Sequence, residues 1–145
     1  MGKSLPEHLR IGQLGEDIAG KWLIDKGFTV LERNYAKKWG EIDIIAERDK
    51  MVYFVEVKTV SWETTEALHK ELSVFQDGNG EDTRGRYRPE EKVDSRKQQR
   101  LGRAIQTWIA ANRFTGPFQI DVMTVRLVPR EKYAVIEVIE NVILE

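Results

Sequence analysis

The chain has 145 residues, 41% of them hydrophobic and 32% charged, with a net charge of −1. That length suits one domain with its own core, and the charge content suits a soluble protein. There is no cysteine and there are only two histidines, His8 and His69; disulfides and thiolate metal sites are excluded, and a histidine-rich zinc site or a serine triad lacks the parts.

The first ten residues, MGKSLPEHLR, hold no apolar signal core, and no apolar run approaches the ~20 residues of a membrane span. Pro6 stands where a myristoylation signal needs Ser or Thr. A cytoplasmic protein with no membrane partner is expected. Ile11, Leu14, Ile18 and Trp22 then recur at helical spacing, predicting a first helix from about residue 8 to Lys26, with Gly27 as its C-terminal cap. Three strand-like stretches follow: FTVLERN (28–34), EIDIIAE (41–47) and MVYFVEVK (51–58). The short polar turn between the last two predicts an antiparallel hairpin. Residues 63–75 read as a short helix, and 76–92, rich in Gly, Pro and charge, as a mobile loop. Leu101, Ala104, Ile105 and Trp108 predict a second long helix over Ser95–Asn112, and strands are expected at 118–127 and 133–139. This order predicts a single domain, an α/β sandwich with a mixed sheet covered by helices.

Charge is unevenly spread. Between Arg84 and Arg103 eight basic residues (Arg84, Arg86, Arg88, Lys92, Arg96, Lys97, Arg100, Arg103) face three acids, a local excess of +5 that leaves −6 for the rest of the chain. Such polarity fits a phosphate-bearing partner, and it equally fits a solvated loop and helix face. Arg96, Arg100 and Arg103 share one helix face by their spacing, and Tyr87 among the loop arginines could stack on an unpaired base.

The acids of the central hairpin pose the sharper question, because buried strands rarely carry acids without compensation. Strand alternation puts Glu56 and Lys58 on one face with Val55 and Val57 opposite, and Glu41 and Asp43 on one face with Ile42, Ile44 and Ala46 opposite. Pairing the two strands can gather Asp43, Glu56 and Lys58 at a sheet end, where two carboxylates repel unless protonated or bridged by a cation. Two carboxylates plus waters and a phosphate oxygen suit Mg²⁺. A bare Glu-x-Lys is weak, since Glu90-Glu91-Lys92 repeats it in the loop; the first copy gains from its apolar strand and from Asp43. An edge-strand ion pair is the plain alternative.

GEIDIIA followed by YFVEVKT resembles the YraN-like group of small bacterial proteins, a group that looks like a branch of the PD-(D/E)xK nuclease superfamily with the archaeal Holliday-junction resolvases. GQLGEDIAGKWLIDKGFTVLERNY, RKQQRLGRAIQTWI and FQIDVMTV extend the likeness over nearly the whole chain. The resemblance implies a restriction-endonuclease-like sandwich, a central mixed sheet of about five strands flanked by helices. It implies Asp43 and Glu56 as ligands of Mg²⁺ or Mn²⁺, Lys58 as catalytic lysine, and Glu16 as the first-helix acid that completes the site. Gly12, Glu16, Ala19 and Leu23 do fall along one side of that helix. Lys97 matches a second-helix lysine and heads the stripe Lys97, Leu101, Ala104, Trp108. Glu41, beside Gly40, is expected to support the ligands.

Two departures stand out. The group usually has Arg after the motif Lys-Thr, where Val60 stands, and Arg-Phe before Asp121, where Gln119 and Ile120 stand. The segment from Ser61 to Glu91 also looks longer than usual and carries extra arginines, as if the phosphate-binding surface were relocated. The expected function is a Mg²⁺-dependent endonuclease acting on DNA, with branched or repair intermediates as candidate substrates. The alternatives are a non-catalytic nucleic-acid-binding module and a protein–protein adaptor. Resolvase-like relatives are dimers, and VIEVIENVIL offers either a homodimer interface or the last core strand.

Overall fold

Helix α1 (Glu7–Asp25) ends where Gly27 adopts φ +90°, a conformation that residues with a Cβ rarely take. The Phe28 N–H donates to the Leu23 carbonyl and the Gly27 N–H to the Ile24 carbonyl, both at 3.0 Å, so the chain reverses in a Schellman motif. These features come from a computed structural model that describes residues 5–74 and 95–144. The loop expected at 76–92, with Arg84, Arg86 and Arg88, lies outside the described residues.

After α1 come β1 (Thr29–Lys37), β2 (Gly40–Arg48) and β3 (Met51–Ser61), then α2 (Thr65–Val74), α3 (Ser95–Ala111), β4 (Phe118–Val128), a 3₁₀ turn at Pro129–Glu131, and β5 (Tyr133–Ile139). The five strands form one mixed sheet in the order β1-β2-β3-β4-β5, parallel only between β3 and β4. That parallel pair requires a crossover, and the segment containing α2 and α3 supplies it. The architecture is the α/β sandwich expected of the sequence, a five-stranded mixed sheet flanked by helices. No helix among the described residues is long and apolar enough to cross a membrane.

Each face has its own core. On the α1 side, Ala19 and Leu23 meet Ile44, Ala46, Tyr53, Val55, Met123, Val125 and Leu127. On the α3 side, Leu101, Ala104, Ile105 and Trp108 meet Tyr35, Ile42, Ile45, Val52 and Phe54. The α3 residues recur at the spacing of one helix face, and each large apolar side chain so buried contributes about 1.5–3 kcal/mol. The β2–β3 hairpin closes through Asp49 and Lys50, both at positive φ (53° and 65°), a two-residue turn whose twist matches the strands. Arg48 ties this turn to the end of α1: its guanidinium donates to the Lys26 carbonyl at 3.1 Å and lies 4.1 Å over the Phe28 ring.

One expectation needs correction. Simple alternation places Ile42, Ile44 and Ala46 on one face, but Ile42 lies with Ile45 on the α3 side while Ile44 and Ala46 lie on the α1 side. The paired strand takes the same step. Arg33 of β1, opposite Ile44, reaches α1, whereas Tyr35, opposite Ile42, lies in the α3-side core. Between them Asn34 has left-handed backbone, φ 53°, which interrupts the pleat. The face exchange falls at Asp43.

Candidate active site

The β2–β3 ladder ends at the pair Ile44–Val55, while β3 continues alongside β4 as far as Ser61 and Leu127. The hairpin is therefore forked, and Asp43 is the first residue beyond the last paired position. Its carboxylate takes over a task the ended ladder leaves open: Asp43 Oδ2 accepts the Val57 N–H at 2.8 Å. A buried N–H without a partner would be costly, so the same geometry satisfies β3 and holds the acid in place.

Alternation survives on β3. Phe54 is in the α3-side core, and Val55 and Val57 pack on the α1 side, which puts Glu56 and Lys58 on the α3 face. The fork opens into a cavity of about 1020 Å³ whose walls include Glu16 of α1, Glu41 and Asp43 of β2, Glu56 and Thr59 of β3, and Lys97 of α3. A smaller adjoining hollow of about 180 Å³ is lined by Glu41, Glu56, Lys97, Arg100 and Leu101. The structure thus brings Glu16, Glu41, Asp43, Glu56 and Lys97 together, with Lys58 close enough to perturb its neighbours.

Two glycines let the helices approach. A Cβ on Gly15 would collide with the Thr59 side chain, which fixes α1 against β3 beside Glu16. A Cβ on Gly40 would collide with the backbone carbonyl of Arg100, so α3 rests directly on the start of β2 and delivers Lys97 to the acids.

The electrostatics follow from this crowding. Burial pushes the Asp43 carboxyl up to about 6; the Val57 N–H opposes the shift, and the charges of Glu16 and Glu41 add to it. Burial, then the charge of Asp43, pushes Glu56 up to about 7, against the pull of Lys58 and Lys97. Lys58 is lowered by burial and by the nearby Lys97 ammonium, with Glu56 acting in the other direction. Two carboxylates that resist joint ionisation are a fitting pair for a divalent cation, which would favour both charged forms. Among the described residues no three His, Asp or Glu side chains form a group that could hold a metal; a cation held by two carboxylates alone would need water and substrate oxygens to complete its shell.

Glu16 is also engaged elsewhere. Arg33 lies 3.6 Å from its carboxylate and 2.9 Å from that of Asp17, a partner that sequence spacing does not suggest. His8, unremarkable in the sequence, lines the cavity. Arg96, Arg100 and Arg103 are all exposed on α3, and Arg100 reaches the acids' smaller hollow. Val60 also lines the cavity, 38% exposed. Gln119 donates through its amide to Asp121 Oδ1 at 2.9 Å. Asp121, only 5% exposed, also accepts the Asn141 N–H at 3.0 Å; it anchors the chain after β5 and takes no part in the cavity.

Comparison with known proteins places these features in a family. The family model described as "Uncharacterised protein family UPF0102" matches residues 15–125, a span that runs from Gly15 through the forked hairpin and α3 into β4. A UPF0102 protein of Moorella thermoacetica is 34% identical over 133 residues, covering 91% of this chain and 93% of that protein. One of Campylobacter lari is 32% identical over 114 residues, covering 79% and 81%. A UPF0102 protein of Campylobacter fetus is 51% identical over a shorter stretch of 57 residues, 39% of this chain and 50% of that protein. The chain belongs to the UPF0102, or YraN-like, family.

Proposed function

We propose that this chain is a metal-dependent nuclease that hydrolyses phosphodiester bonds in DNA. The observation that carries the reading is the forked hairpin, which holds Asp43 and Glu56 in one cavity, both displaced upward to about 6 and about 7, beside Lys58 and Lys97. The likeness to the PD-(D/E)xK superfamily supports it on the same residues. Mg²⁺ or Mn²⁺ held by Asp43 and Glu56 would supply Lewis-acid charge at a phosphate and lower the pKa of an attacking water. Asp43 is held in register by the Val57 N–H. Glu56, the group with the higher value, can hold a proton near neutral pH and release it when a cation arrives. Lys58, whose ammonium is easier to deprotonate than usual, is suited to orient a water or to stabilise charge developing on the phosphate. Lys97 brings a second cation to the same wall, and Glu16 lends negative charge from α1. Glu41 raises the values of both ligands by its charge.

A second reading, a nucleic-acid-binding module that does not cut, is favoured by one feature: the exposed residue at the cavity after Lys58-Thr59 is Val60 rather than an arginine. The test is incubation with linear, flapped and four-way DNA in Mg²⁺ and in Mn²⁺, with Asp43→Ala and Lys58→Ala controls. Cleavage by wild type that both variants lose supports the nuclease. Binding without cleavage by wild type and variants alike at every metal concentration would establish the second reading instead.

A further inference from the structure

Trp39 sits in the turn between β1 and β2, directly before Gly40. Its side chain is exposed yet fixed. Residue exposure is 42%, while Nε1–H donates to Thr107 Oγ1 at 2.9 Å, across 68 residues of sequence, and that hydroxyl donates to the Arg103 carbonyl at 2.8 Å. Single exposed apolar residues are common and carry no message. A ring pinned by a long-range hydrogen bond is different, because a partner that stacks on it meets little further ordering cost.

The ring overlooks an open depression of about 500 Å³ formed with Arg103, Gln106, Thr107 and Ala110. Arg103 lies about one helical turn beyond Arg100, which shares the smaller hollow with Glu56 and Lys97. At 1.5 Å per residue, Lys97 and Arg103 are separated by about 9 Å along α3. Lys37 and Lys38 precede Trp39 in the sequence. A path of cations therefore leads from the acidic cavity to an aromatic face. Such a platform, flanked by cations that follow a phosphate backbone, binds unpaired bases whatever their sequence. A continuous duplex keeps its bases stacked on one another, and unstacking one costs free energy.

We infer that Trp39 and Arg103 form a stacking subsite for an unpaired base on the strand whose phosphate enters the Asp43–Glu56 cavity, so that single-stranded or flapped DNA is preferred to continuous duplex. This inference rests on the nucleic-acid reading above, though not on cleavage. The test is fluorescence anisotropy of the full chain, in EDTA, with an end-labelled single strand and with a blunt duplex of the same sequence. Wild type is expected to bind the single strand more tightly. Trp39→Ala should weaken that binding roughly tenfold or more while changing duplex affinity by less than about twofold, and Trp39→Phe should retain most of it. Circular dichroism melting of each variant separates impaired stacking from impaired folding. Unchanged single-strand binding in Trp39→Ala, or equal weakening on single strand and duplex, overturns the inference and leaves the nucleic-acid reading intact. If wild type binds neither DNA, both fall.

Discussion

Asp43→Asn should make the metal-free protein more stable, and only at pH values where the aspartate is ionised. The folded state raises the Asp43 carboxyl from 3.8 to about 6. Below its unfolded value the group is protonated in both states and the substitution changes little. Between the two values the folded state increasingly bears the cost of ionisation, and above about 6 it bears all of it. Two pH units correspond to about 3 kcal/mol. That value already includes the opposing pull of Lys97. The remaining solvent exposure and local relaxation reduce the recoverable part, so a gain of about 1–2 kcal/mol is expected, or about 3–6 °C in Tm for a domain of this size. Asparagine keeps an oxygen to accept the Val57 N–H, so the fork itself should survive. Removing the Asp43 charge also relieves Glu56, for which it is the second largest cause of the upward shift. The assay is thermal melting of wild type and variant in EDTA at pH 8 and at pH 4. A variant no more stable than wild type at pH 8, or one with the same gain at both pH values, would refute the reasoning.

Three further outcomes are expected. Mg²⁺ or Mn²⁺ should raise the Tm of wild type by linkage, by about 1.4 kcal/mol at tenfold excess over Kd, more at pH 8 than at pH 5.5 because Glu56 near 7 must release its proton; Asp43→Asn should lose the increment, and an identical shift in both would show that the acids are not ligands. Gly40→Ala should cost about 2–3 kcal/mol in urea unfolding, because its methyl meets the Arg100 carbonyl, whereas Gly20→Ala, with open space around the new methyl, should be neutral or gain up to about 1 kcal/mol from helix propensity. Replacing Arg96, Arg100 and Arg103 together with Ala should weaken duplex binding and flatten its dependence on salt, by about 0.9 in log–log slope for each phosphate no longer neutralised, with metal affinity unchanged; an unaltered slope in a titration from low to moderate salt would remove these residues from the interface.

Where one face of an element is buried, its periodicity makes it legible. Leu101, Ala104, Ile105 and Trp108 mark α3, and the alternation of β3 puts Glu56 and Lys58 together from the sequence alone. What escapes depends on contacts between distant segments. β1 runs on to Lys37 because Tyr35 is buried against α3-side residues, which no local pattern around Asn34 announces. The face exchange at Asp43 is matched by left-handed Asn34 on the neighbouring strand, so alternation read along β2 alone misplaces Ile42. Arg33 and Trp39 look like ordinary strand and turn residues because their partners, Glu16 and Thr107, come from helices. Motif likeness points to Glu16 and Lys97 where spacing alone would leave them as solvated side chains.

The irregularity of β1 also bears on how copies of this chain can meet. β1 is an edge of the sheet, and a straight exposed edge is a template on which another chain can add a strand. Here the ladder shifts register between Val30 and Glu32 and kinks again at Asn34. Arg33 is drawn toward α1, and the strand ends on Lys37 with Lys38 next in the chain. A second molecule sliding along this edge would meet misaligned donors, a bend and positive charge, so the strand whose irregularity accompanies the face exchange at Asp43 is a poor template for open-ended polymerisation through β1.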